Sequence, residues 1–129
     1  MSDEARIAPG PTAHTDAFWA AAARNMLVLA RCPHCGVWLH PQCETCPHGH
    51  IALVWTAASG HGIVVAAATV HRPAHPARPA PYVVLVVRLD EGPQLIASQH
   101  GPGALRPGDR VRAVFDGTWP LVRFTLDGA

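Results

Sequence analysis

Four cysteines fall within fifteen residues as two pairs of identical spacing, Cys32-Pro33-His34-Cys35 and Cys43-Glu44-Thr45-Cys46. Two cysteines three apart can put both thiolates on one ion, and Gly36, directly after the first pair, allows the tight turn this needs. Two such pairs in a reducing compartment favour zinc over disulfides. Cys32, Cys35, Cys43 and Cys46 together would make a closed tetrahedral site, hence a structural one. Seven residues separate the pairs, a short gap for the commonest zinc modules. A redox dithiol is the competing reading, but no thioredoxin-like βαβ pattern surrounds the pairs. A knuckle that has lost its metal is another. His34, His40, His48 and His50 place further donors in the same stretch.

The rest of the chain reads as short strands. Apolar segments at Leu53–Ala58, Gly62–His71, Tyr82–Asp90, Gln94–Gln99, Arg110–Phe115 and Leu121–Leu126 are separated by turn signals. These are Ser59-Gly60, Asp90-Glu91-Gly92-Pro93, Gly101-Pro102-Gly103 and Pro107-Gly108-Asp109. Such a series specifies an all-β barrel or sandwich. Ahead of it, Thr15 or Asp16 can cap a helix whose apolar positions are Phe18, Trp19, Ala22, Ala23 and Met26. That helix either packs on its own domain or docks a partner.

With 129 residues, 49% of them hydrophobic and 15% charged, the chain suits one domain and is too apolar for disorder. Its apolar runs are strand-sized, well short of the roughly 18 residues of a membrane span. The start Met1-Ser2-Asp3-Glu4 is acidic and lacks the pattern of a secretory signal, so a disordered leader over 1–14 and a cytoplasmic location are expected. Net charge is +1, which gives no global attraction to nucleic acid or membrane. All ten basic residues are arginine. Any charged phosphate contact must therefore come from Arg or His.

Two segments break the strand rhythm. Residues 71–81 carry four prolines, which excludes a central strand and specifies an extended, semi-stiff loop. The strand from Tyr82 to Val87 is apolar at successive positions instead of alternating. Its outer face should therefore be covered, by the chain's own helix or ribbon or by another protein.

Phe18-Trp19, the run Leu27-Val28-Leu29-Ala30-Arg31-Cys32-Pro33-His34-Cys35-Gly36, then His40-Pro41 and Cys46-Pro47-His48 resemble the rubredoxin-like zinc-ribbon plus OB-fold proteins. These are the family known as domain of unknown function thirty-five. Trp55, Ser59-Gly60 with Gly62, Pro81-Tyr82 and Leu89-Asp90-Glu91-Gly92-Pro93 are similar to its later motifs. The resemblance covers roughly residues 16–127. It implies a mainly β fold with an N-terminal helix over 15–28, a zinc ribbon over 29–52 and a five- to six-stranded OB-fold barrel over 53–127. It also implies an accessory protein that helps to bind or pass acyl-CoA thioesters. The implied partner is a thiolase-like, lipid-transfer-type aldolase of steroid side-chain or lipid breakdown, or else a MaoC-like enoyl-CoA hydratase. The chain departs from the family where the second knuckle usually reads Cys-Pro-any-Cys, because Gly49 follows His48. Cys43 is the favoured replacement, since it restores the pair spacing; His48, His50 and loss of the metal are the alternatives.

The sequence offers no GxSxG elbow, HExxH or Walker-type loop, so no residue is assigned a catalytic role. Asp90-Glu91 reads as a solvated hairpin tip. His71, His75 and His100 lie on or near loops, from which one could reach a partner's active site. Arg72 and Arg78, in the proline-rich loop, are candidates for the phosphates of CoA or for an acidic patch on the partner, because guanidinium forks suit oxyanions. The competing functions are a nucleic-acid-binding module, disfavoured by the few aromatics and low net charge, and an independent small enzyme.

Overall fold

The computed structural model describes residues 15–72, 80–115 and 122–127. One short helix, α1 (Asp16–Ala22), precedes eight strands: β1 (Val28–Arg31), β2 (Trp38–Leu39), β3 (Val54–Ala57), β4 (His61–Val70), β5 (Tyr82–Leu89), β6 (Gln94–Gln99), β7 (Arg110–Val114) and β8 (Arg123–Leu126). Thr15 occupies the N-cap position, but its side chain makes no capping hydrogen bond. The helix ends at Ala22, and Asn25 then takes a left-handed φ of 63°. Stopping there, the helix buries Ala21 and Ala22 and packs Phe18 on the core, while Met26 remains 43% exposed.

Two sheets result. β2, β1 and β3 form a three-stranded antiparallel sheet. β4, β5, β6, β8 and β7 close into a five-stranded barrel, with β4 pairing to both β5 and β7. All its pairings are antiparallel except the short β6–β8 contact at Ser98–Arg123 and Gln99–Phe124. The strand expected at Leu53–Ala58 forms as β3, but it pairs with β1 along its whole length and extends the ribbon's sheet instead of entering the barrel. Alternation alone cannot say which neighbour a strand takes.

One core joins both sheets. Phe124, Leu85, Val87, Val111 and Val64 fill the barrel and are almost fully buried. Leu27 and Leu29, entering and within β1, and Ala22 of α1 belong to the same cluster. Burying side chains of this size stabilises by about 1.5–3 kcal/mol each. Gly62 marks the tightest approach: a Cβ there would lie 2.6 Å from the Arg88 carbonyl oxygen and 2.8 Å from a Val87 methyl carbon. Only glycine lets β4 lie this close to β5 at that point.

In the apolar β5 run, Leu85 and Val87 point into the core, and Val84 and Val86, on the other face, are half-buried. Past the bulge at Val64/Ala66, residues Val65 to Thr69 of β4 are all exposed. No helix among the described residues is long and apolar enough to cross a membrane.

Candidate metal centre and its relatives

Each cysteine-bearing loop folds back on its first thiol. In the first, the Gly36 N–H donates to the Cys32 carbonyl oxygen at 2.7 Å with Gly36 at φ +72°, and the Cys35 N–H points at Cys32 Sγ at 3.4 Å. In the second, the Gly49 N–H donates to the Cys46 carbonyl oxygen at 2.9 Å. The N–H groups of His48 and His50 point at Cys46 Sγ at 3.3 and 3.4 Å. Where the family's knuckle would place its next cysteine there is glycine, and the loop runs one residue further to bring in His50.

Four ligand atoms then converge. Those of Cys32, Cys35, Cys46 and His50 all lie within 4.8 Å of one another. His50 Nδ1 is 3.5 Å from Cys32 Sγ, 3.3 Å from Cys35 Sγ and 3.1 Å from Cys46 Sγ. Cys35 Sγ and Cys46 Sγ are 3.9 Å apart. Thiolates about 2.3 Å and an imidazole nitrogen about 2.0 Å from a shared tetrahedral ion would stand about 3.5–3.8 Å from each other. The cluster is thus the right size and donor type to hold a metal ion. Cys32 and Cys46 are buried and Cys35 is exposed.

The electrostatics fit the same reading. Burial opposes the Cys46 thiolate, but the backbone N–H groups of His50 and His48, and then the His50 ring, outweigh it and lower the thiol to about 6. The Cys35 thiol is pushed up to about 11, by desolvation first and then by the Cys32 and Cys46 sulfurs crowded around it. A cation at the centre of the cluster relieves that crowding and favours all three thiolates.

Cys43 is not among the converging four. It is half-buried, and its N–H donates to the His40 carbonyl oxygen at 2.9 Å. His48 Nδ1 sits 3.2 Å from Cys35 Sγ on the exposed side, and the His34 ring stacks on His50 with centroids 4.8 Å apart. Arg31 steadies the first knuckle, its Nε donating to the Gly36 carbonyl oxygen at 3.4 Å while its guanidinium lies 5.4 Å from the Trp38 ring centre.

The other singled-out residues scatter. Arg72 and His71 are exposed just past the end of β4, and Arg78 and His75 lie outside the described residues. His100 is half-buried after β6. Asp90 and Glu91 are tied in place: the Arg110 guanidinium grips both Asp90 oxygens at 2.7 and 3.2 Å, and Glu91 Oε2 accepts from the Ser59 N–H at 2.8 Å. Sequence reasoning did not single out His61, whose Nδ1 lies 3.0 Å from Asp127 Oδ2. The two are 66 residues apart, so no local pattern could have joined them.

A metal-ready Cys3His ribbon whose sheet shares a core with a closed five-stranded OB-like barrel defines the class: a ribbon–OB fold. Within it, residues 55–116 match the family model described as ChsH2, C-terminal OB-fold domain. The fold superposes with a TM-score of 0.81 on a chain of a solved structure called Ltp2-ChsH2(DUF35) aldolase, 30% identical, covering 92% of this chain and 98% of that one. The protein belongs to the ChsH2-type DUF35 family. A DUF35 protein of Sulfolobus solfataricus, 16% identical, shares the fold at a TM-score of 0.68 over 97% of this chain and 93% of its own. A Thermomonospora curvata protein named "Probable enoyl-CoA hydratase alpha subunit" is 39% identical over 98 residues. The match takes in 74% of this chain but only 31% of that protein, so the chain spans about a third of its curated relative.

Proposed function

We propose that the chain is a non-catalytic accessory subunit that docks on and stabilises a thiolase-like acyl-CoA enzyme of aldolase type. The observation that carries this reading is the near-complete coverage, at 30% identity, of a chain of the structure called Ltp2-ChsH2(DUF35) aldolase. In this reading zinc fills the Cys32–Cys35–Cys46–His50 cluster as a structural ion. It fixes the ribbon against the barrel, and Arg72 or Arg78 contacts the phosphates of CoA or an acidic patch on the partner. Co-expression with a thiolase-like enzyme encoded nearby tests the proposal. A stable complex with higher activity than the enzyme alone is expected, and a chain that neither co-purifies with such an enzyme nor changes its activity refutes it.

A MaoC-like hydratase is the second reading, favoured by the name of the 39% identical relative. The same co-expression run with hydratase candidates decides between the two.

A further inference from the structure

A cleft of about 340 Å³ opens where the ribbon's sheet meets the barrel, and none of the cysteines lines it. Met26 and Leu27, leading into β1, and Phe115, just after β7, give it apolar walls. Its polar side is made by His61 and Arg112, cross-strand partners on β4 and β7. This size is at the small end of ligand sites, and a mostly apolar lining with a few convergent polar groups is their usual make-up.

The charges around the cleft are unevenly committed. Asp127 is taken up by His61 Nδ1, and Asp90 by Arg110. Glu91 Oε2 holds the Ser59 N–H, which fixes the Ser59–Gly60 turn at the edge of the cleft. The Arg112 side chain has no hydrogen-bond or ion-pair partner among the described residues. Glu91 Oε1 is buried without a partner behind that turn, away from the residues that line the cleft, so Arg112 is the unpaired charged group that faces the apolar walls.

We infer that the cleft binds a free carboxylate carried on a short apolar chain. The Arg112 fork takes the carboxylate oxygens, and Met26, Leu27 and Phe115 cover the chain. This site is independent of any enzyme partner, and its ligand is an acid, not a thioester.

Chemical-shift titration of the ¹⁵N-labelled full chain tests it with three probes: octanoate, octanamide (chain without charge) and acetate (charge without chain). Octanoate should give saturable shifts centred on the Ser59, Gly60, His61, Arg112 and Ala113 amides. Octanamide should bind about tenfold more weakly, as expected for loss of a charged hydrogen bond, and acetate at least about a hundredfold more weakly, as expected for loss of the buried chain. Arg112→Gln should erase the preference for octanoate over octanamide, and Arg112→Lys should keep part of it. Equal binding of octanoate and octanamide, shifts centred elsewhere, no saturation, or an unchanged preference in Arg112→Gln overturns the assignment. The wild-type comparison of the three probes decides even if a variant does not fold.

Discussion

Cys46 Sγ and His50 Nδ1 lie 3.1 Å apart across a loop that closes on itself through the Cys46 N–H and the His50 carbonyl oxygen at 3.0 Å. The pair makes the second knuckle a Cys-x-x-x-His unit, and it brings a fourth ligand atom to the cluster of Cys32, Cys35 and Cys46. His50→Ala should weaken zinc or cobalt affinity by about a hundredfold, because a structural zinc worth about 10–16 kcal/mol is shared among four ligands. Cys43→Ser should leave affinity unchanged. Cobalt titration distinguishes the outcomes, since thiolate-to-cobalt absorption should be the same in the Cys43 variant and the wild type. A Cys43→Ser protein that loses a thiolate band would restore Cys43 as ligand.

Gly62→Ala should destabilise the barrel by about 1–3 kcal/mol, the usual result of forcing extra atoms into a packed site. The added methyl would meet the Arg88 carbonyl oxygen at 2.6 Å, and that oxygen belongs to backbone in the β4–β5 ladder, which cannot swing aside. Urea unfolding followed by fluorescence measures the loss. Gly92→Ala is a fair control for the crowding, because no atom lies within 4 Å of a Cβ built there, although its φ of 118° adds backbone strain of its own.

How legible this molecule was in its sequence depends on the range of the signal. The barrel strands beginning at His61, Tyr82, Gln94 and Arg110 form close to where apolar segments and Gly- and Pro-bearing turns place them, because both cues are local. Three of the four clustered donors, Cys32, Cys35 and Cys46, were visible as spaced thiols. The fourth was not settled, because pair spacing favoured Cys43. Gly49 at φ +88° turns the loop, and His50 comes back under Cys46 to join the cluster. The β1–β3 pairing, the Arg110–Asp90 fork and the His61–Asp127 pair depend on how distant segments meet, and nothing near any of these residues in the sequence encodes it.

The Arg110 guanidinium holds the Asp90 carboxyl below its ordinary range. A carboxyl lowered on folding adds stability that is present above its unfolded value near 3.8 and is lost as pH falls through the lower folded value. Arg110→Ala should therefore reduce stability at neutral pH and match the wild type once both carboxyl states are protonated. The side chains are 51% and 44% exposed, so solvent screens the pair and the difference at pH 7 should be small. Thermal melts from pH 7 down to pH 2 measure it, and a gap that widens on acidification contradicts this account.

Ile96 is 78% exposed on the outer face of β6, and the register sets it beside half-buried Val86, itself beside exposed Ala66. The row crosses three strands without a charge. An exposed isoleucine of this kind adds little to the folded state, so Ile96→Glu should change stability by no more than about 0.5 kcal/mol. If the proposed enzyme subunit seats on this row, the same substitution buries an unpaired charge at the contact. Capture of the partner should then fall by about thirtyfold, the effect of losing roughly 2 kcal/mol at an interface centre. Matched melting curves and co-purification yields for wild type and Ile96→Glu separate the two effects. Unchanged capture with an unchanged melt would move the docking surface off this sheet while leaving the proposed partnership to the co-expression result.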